Sequence, residues 1–197
     1  VFMTREIEIY YDFISPYSYI AHKRIAEIEN SNEVKFVYKP ILLGGLHKLA
    51  KITAPGLIES KKNYLVQDCE NVSAKYKINF KFNDKFPINS LYLMRGNLII
   101  PENKLKIYVQ KCFEAYWLKN IDILNTDNVK IILNECEIDE NTFLTDIEKM
   151  ETKEKLKKLT QKAFEKKIFG APTFVANNKI FWGQDRLDYA IDEIKNK

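Results

Sequence analysis

The chain changes its pattern twice, and that order limits its folds more than any other feature. Residues 6–11, Glu6-Ile7-Glu8-Ile9-Tyr10-Tyr11, alternate in polarity and are rich in β-formers, which predicts a strand. Ser15-Pro16 then pairs a hydroxyl N-cap with proline at the first helical position, and Tyr19, Ile20, Ile25 and Ile28 carry helical spacing to Glu29. Val34 to Tyr38 alternates again and stops at Pro40. From about Leu57 to Phe169 nearly every periodic stretch is helical, with helices predicted over 61–76, 89–98, 102–118, 126–134, 139–147 and 152–168. Asp127 and Asn141 sit near two of the predicted starts. The C-terminus returns to the first pattern. Thr173-Phe174-Val175 and Ile180-Phe181-Trp182 read as a hairpin across the turn 176–179, and a last helix over 186–195 is capped by Gln184 or Asp185. A βαβ half and a ββα half can share one mixed sheet with helices on its faces. The expected class is therefore α/β, with residues 1–45 and 169–197 as one domain and 46–168 as an inserted helical domain.

Composition removes several function classes. At 197 residues, with 46% hydrophobic and 29% charged, the chain is an ordinary globular one. Lys+Arg 31 against Asp+Glu 27 gives only +4, spread along the chain, so nucleic acid is not expected as a partner. No apolar run approaches the ~20 residues of a membrane span. Residues 1–9 carry Arg5, Glu6 and Glu8 where a secretory signal needs an apolar core, so a cytoplasmic protein is expected. Cys69, Cys112 and Cys136 form no C-x-x-C, and His22 and His47 stand alone, so spacing gives no disulfide framework and no metal cluster. Each Cys reads as a small buried hydrophobe.

Three segments could carry chemistry. Ser15 follows a strand and opens a helix, where unpaired N–H groups and about half a unit of positive charge gather. Ser15 and Ser18 have the spacing of a redox C-x-x-C at the start of a thioredoxin-like βαβ unit, but as serines they cannot form a disulfide. A hydroxyl there can still hold a thiolate brought by another molecule; the plainer reading is an N-cap. Pro172, in Gly170-Ala171-Pro172-Thr173, lies just before a strand, where thioredoxin-like folds place a cis proline facing that helix. Ala171 would then offer its backbone to an extended peptide; the plainer reading is a trans proline opening an edge strand. Trp182-Gly183-Gln184-Asp185 is either a helix cap or a grip for the amino and carboxyl groups of a small peptide. A serine hydrolase is disfavoured, because there is no G-x-S-x-G and neither histidine has a partner in sequence.

Together, Asp12-Phe13-Ile14-Ser15-Pro16-Tyr17-Ser18-Tyr19, Phe169-Gly170-Ala171-Pro172-Thr173-Phe174 and Trp182-Gly183-Gln184-Asp185-Arg186-Leu187 resemble the 2-hydroxychromene-2-carboxylate isomerase and kappa-class glutathione transferase family, a DsbA-like branch of the thioredoxin fold. Residues 39–45 and 86–90 look like further family segments, and the resemblance covers nearly the whole chain. It implies a DsbA-like thioredoxin fold with a helical insertion, and glutathione as cofactor. It implies that Ser15 is the catalytic serine bonded to the glutathione sulfur and that Ala171, before cis Pro172, pairs with the cysteinyl backbone. Trp182, Gly183, Gln184 and Asp185 match the stretch that holds the γ-glutamyl end. Lys61, ahead of Tyr64, and Asn89 match substrate-binding positions. The partner implied is a small aromatic-acid or electrophilic substrate, in a homodimer. The chain departs from the kappa-class pattern at Ile52-Thr53-Ala54-Pro55-Gly56, where that class has Asn before a Pro-Pro-Gly-like turn. The same site serves an isomerase or a transferase; a non-redox DsbA-like peptide-binding module is the reading from another class.

Overall fold

Alternation over residues 6–11 places Ile7, Ile9 and Tyr11 on one face of a strand and Glu8 and Tyr10 on the other. The structure, a computed structural model describing residues 5–29 and 34–195, makes this strand β1 (Glu6–Tyr11). It is followed by α1 (Pro16–Glu29), β2 (Lys35–Pro40) and α2 (Leu43–Ala50). A 3-10 turn (Pro55–Leu57) leads to α3 (Glu59–Lys75), α4 (Leu91–Gly96), α5 (Glu102–Trp117), α6 (Thr126–Glu135), α7 (Glu140–Glu148) and α8 (Met150–Glu165). The chain continues through β3 (Thr173–Ala176), β4 (Lys179–Trp182), a second 3-10 turn (Gln184–Arg186) and α9 (Leu187–Lys195).

The strands form one mixed sheet in the order β2-β1-β3-β4. β1 and β2 are parallel, with Ile9 beside Tyr38, and α1 supplies the crossover that a parallel pair requires. β3 runs antiparallel to β1, with Phe174 against Ile9, and β4 runs antiparallel to β3. The two halves of the chain thus meet along β1 and β3, as the mixed-sheet expectation required. On one face Ile7, Ile9, Tyr11 and Phe174 pack with Tyr19 and Ile25 of α1, Phe113 of α5 and Leu187 of α9. Burying a side chain of this size contributes roughly 1.5–3 kcal/mol. The opposite face carries Tyr10, packed with Ile41, Leu46 of α2, Ala163 of α8 and Ile168.

The structure corrects several local expectations. Helix α2 was not legible, because Gly44 and Gly45 lower its propensity. It is fixed from outside: the Leu43 N–H donates to Asp12 at 2.7 Å, and the Leu42 N–H donates to Thr160 at 3.0 Å. The helix starts expected near Asp127 and Asn141 are present, and their caps are Asn125 and Asp139, whose side chains accept from the N–H groups of Asp127 and Thr142. The hairpin turn is tighter than 176–179. Only Asn177 and Asn178 lie outside the strands, with φ of 47° and 63°, a two-residue turn that asparagine tolerates.

Candidate active site

Ser15 lies where β1 ends and α1 begins. Its Oγ accepts from the Ser18 N–H at 3.1 Å, so the N-cap reading of Ser15 is correct. The same hydroxyl donates to the Ala171 carbonyl at 3.0 Å, and the Ala171–Pro172 peptide is cis. The opening of α1 and the loop before β3 are therefore in direct contact. Both plain and functional readings of Ser15 use one oxygen: it caps the helix with its lone pairs and points its proton at the cis-proline loop. The Ala171 carbonyl accepts this proton with one of its two lone pairs. Ser15 is 4% exposed. Ser18 is fully buried and its hydroxyl has no partner, so the second serine of the pair does not reach the loop.

Below Ser15, Asp12 organises the junction of the sheet with the helices. It is completely buried. Its carboxylate accepts from the Ser90 hydroxyl at 2.6 Å, the Leu43 N–H at 2.7 Å and the Ile14 N–H at 3.0 Å, and its main-chain carbonyl accepts from the Ser15 N–H at 3.0 Å. Burial pushes the Asp12 carboxyl upward in pKa, while the donors from Ser90, Leu43 and Ile14 oppose that shift. Sequence reading passed over Asp12; the available signal was a lone acid between Tyr11 and Phe13, immediately after a strand. Every group around the carboxylate is a donor, so the amide of Asn would face at least one N–H. Asp12→Asn is expected to lower the unfolding free energy by about 1–3 kcal/mol, read from urea denaturation at unchanged m-value. Wild-type stability in that variant would show that the hub does not hold the junction. Two further contacts fix the residue beside Ser15's turn: Trp117 Nε1 donates to the Phe13 carbonyl at 2.7 Å, and the Phe13 N–H approaches the Met94 sulfur at 3.4 Å.

The stretch 182–185 lies beside the cis-proline loop. The Gly183 N–H donates to the Pro172 carbonyl at 2.9 Å. Gly183 has φ +108°, and a Cβ there would come within 2.5 Å of Asp185 Oδ1, so this turn requires glycine. Trp182 is exposed and its ring lies 4.9 Å from that of Phe169, which is also exposed. Gln184 faces inward at 7% exposure, whereas Asp185 is exposed and held by Arg186 at 2.7 Å. The expected capping by Gln184 or Asp185 is absent: the 3-10 turn starts after Gly183 with no side-chain cap.

Lys61 lies in the first turn of α3, exposed and with no hydrogen bond or ion pair among the described residues. It shares a stripe of α3 with Asp68, two turns on, and Asp68 accepts from the Tyr17 hydroxyl of α1 at 2.6 Å. That bond places the middle of α3, at Asp68, against the first turn of α1. Lys62, not Lys61, reaches the 86–90 loop, with Nζ 3.5 Å from the Phe86 carbonyl. Asn89 is exposed and its Oδ1 accepts from the Leu91 N–H at 2.9 Å, which starts α4 two residues later than predicted. Its neighbour Ser90 makes the connection to Asp12. No contact joins Lys61 or Asn89 to Ser15 in the hydrogen bonds described.

The three cysteines are free and buried, and burial pushes the thiols of Cys69, Cys112 and Cys136 upward. Burial disfavours the thiolate form of all three, and among the described residues none is hydrogen-bonded to Ser15. Among the described residues no three His, Cys, Asp or Glu side chains converge on a metal position, and no helix is long and apolar enough to cross a membrane.

A family model described as a DSBA-like thioredoxin domain matches residues 6–195. A 2-hydroxychromene-2-carboxylate isomerase from Sphingobium xenophagum is 25% identical over 194 residues, covering 95% of this chain and 96% of the relative. Human glutathione S-transferase kappa 1 is 25% identical over 202 residues, covering 94% of this chain and 89% of the relative. A solved structure of a selenomethionine 2-hydroxychromene-2-carboxylate isomerase superposes with a TM-score of 0.88 at 23% identity, covering 97% of this chain and 95% of that one.

Proposed function

The chain belongs to the DSBA-like thioredoxin domain family, and from that premise we propose that it is a glutathione-dependent isomerase of the 2-hydroxychromene-2-carboxylate type. The observation that carries this reading is the Ser15 hydroxyl, at the N-terminus of α1 and 3.0 Å from the carbonyl before cis Pro172. The relatives named as isomerases and kappa-class transferases support it at the level of family.

The residues present fit a γ-glutamyl-cysteinyl peptide by their donor set. Ser15 offers a hydroxyl proton in the positive end of α1, the place where an anion is most stabilised. Ala171 offers a carbonyl at the same point. Asp185 offers an exposed carboxylate for an ammonium group, beside the Gly183 turn and the open Trp182 ring. When bound, glutathione would supply a thiolate that adds reversibly to the conjugated system of an aromatic-derived unsaturated acid, so that a double bond becomes single and can rotate.

Ser15 has one proton to give. It is directed at Ala171 in the ligand-free protein and would turn to a sulfur anion, while the Ala171 carbonyl, with two lone pairs, can accept an N–H from the peptide. The exposed Lys61 ammonium, in the first turn of α3, would meet a substrate carboxylate, and the exposed amide of Asn89 would orient it. A homodimer in a cytoplasmic setting completes the reading, since reduced glutathione keeps thiols such as the three free cysteines reduced there.

The test is calorimetric titration with glutathione, followed by product analysis with 2-hydroxychromene-2-carboxylate. Saturable binding and formation of the trans keto acid are expected. Release of a glutathione conjugate from an electrophile, with no isomerised acid, would favour the transferase reading, which the equal 25% identity to the human kappa enzyme keeps in view. No binding at millimolar glutathione would remove both and favour a peptide-binding module.

A further inference from the structure

Helix α1 holds a second buried polar group, which touches the turn that follows β4. Arg24 is 7% exposed, an unusual state for a cation. Its Nη1 donates to the main-chain carbonyl of Gln184 at 2.8 Å. Its Nη2 lies 3.0 Å from both carboxylate oxygens of Asp188. Its guanidinium sits 4.1 Å above the ring of Tyr76, at the end of α3. Held from three sides, the guanidinium has little freedom left, and its fixed fork is what a lysine cannot reproduce.

We propose that Arg24 is a positioning residue that fixes the Gly183–Asp185 turn at a set distance from Ser15, so that one helix holds both ends of a bound peptide. The proposal rests on the glutathione reading and deepens it. The turn has two pins. The cis-proline loop holds it through Gly183 N–H and the Pro172 carbonyl at 2.9 Å. Arg24 holds it from the other side through the Gln184 carbonyl. Arg24 lies about 13 Å along the helix from Ser15 by the helical rise, and side chains of a helix lean back toward its N-terminus. The rigid rod of α1 therefore sets the spacing between the sulfur end and the γ-glutamyl end of the site. The Asp188 carboxylate is largely exposed, with 64% of its side chain accessible, so the ion pair itself adds little to global stability. The contact with the Gln184 carbonyl acts on the turn alone.

The experiment compares wild type with Arg24→Lys and Arg24→Gln. Amide hydrogen exchange is measured without ligand, and glutathione affinity by calorimetry. Faster exchange confined to residues 182–187 is expected, with glutathione bound about tenfold more weakly, the equivalent of one weakened hydrogen bond. The pKa of the bound thiol should stay at its wild-type value, because Ser15 is untouched. Unchanged exchange at 182–187 together with wild-type affinity overturns the proposal. So does faster exchange across the sheet and α5 with a lowered melting temperature, which would mark Arg24 as a general structural residue. Wild-type protein that takes up no glutathione overturns the glutathione reading and the ligand half of this proposal; the ligand-free exchange still decides whether Arg24 fixes the turn.

Discussion

On the proposed glutathione reading, Ser15→Ala is expected to raise the pKa of the thiol of bound glutathione by about one to two units. A hydrogen bond to a charged acceptor contributes roughly 1.5–3 kcal/mol, and one pKa unit corresponds to about 1.36 kcal/mol. The N-terminal field of α1 remains in the variant, so only the hydroxyl's share is lost. At neutral pH the thiolate fraction, and the turnover that depends on it, should fall about eight- to twenty-five-fold, from a major species to the few per cent of an unassisted thiol. The measurement is the ultraviolet absorbance of the bound thiolate against pH, in wild type and variant. The substitution also removes the cap to the Ser18 N–H, which costs about 0.5–2 kcal/mol of stability. Against a typical total of about 5–15 kcal/mol, the variant should still be folded at room temperature. A second ligand separates the two roles. S-methylglutathione, which has no thiol proton to lose, should bind Ser15→Ala about as well as wild type, because the Ala171 carbonyl remains an acceptor in both. An unchanged thiol pKa in the variant would sink the catalytic assignment of Ser15.

The second large effect is acid destabilisation through His22. Its ring is buried, with Nδ1 2.7 Å from the Tyr38 hydroxyl and the ring stacked on Phe113 at 5.2 Å. Burial, helped by the positive charges of Lys23 and Lys106, lowers its pKa to about 3. The folded pKa is below the unfolded one, so the stability tied to neutral His22 is fully present above about pH 6.5 and is lost as pH falls toward 3. Between pH 7 and pH 4 the loss is on the order of 3 kcal/mol, a large part of a domain's stability. Asp12 works in the other direction: its pKa is raised, so its contribution is present in acid and declines as pH rises through the folded value. Urea denaturation at several pH values should show the slope in wild type. The His22→Phe/Tyr38→Phe double variant, which removes the ring nitrogen together with the hydroxyl that faces it, should lose most of that slope. Equal slopes in the two proteins would assign the acid sensitivity elsewhere.

Much of the site was legible because it lies at element ends, where local rules are strong. Ser15-Pro16 after an alternating strand announces a capped helix start, and Gly170-Ala171-Pro172 before an apolar strand announces a loop with a fixed backbone. The motif resemblance then placed both in one fold. The Gly183 turn was legible as a turn, but its side-chain capping was wrong, because Arg186 takes up Asp185 and Gln184 is buried. Arg24 and His22 were hidden for one reason. Both lie on a helix buried on nearly all sides, and a polar residue there reads in sequence like one on a solvated face.

The sequence by itself determined the alternating strands, most of the amphipathic helices between them and the cap at Ser15. These follow from periodicity and capping, which depend on residues a few positions apart. The tertiary structure decided what the end groups touch. Ser15 meets Ala171 across 156 positions of chain only because β3 inserts beside β1. Helix α2, unfavourable by propensity, exists because Asp12 and Thr160 satisfy its first N–H groups. Arg24 meets Gln184 across 160 positions because α1 and the last turn pack on the same face of the sheet. A buried hydrogen-bonding group has to find a partner wherever the fold brings one, and no local pattern encodes which residue that is.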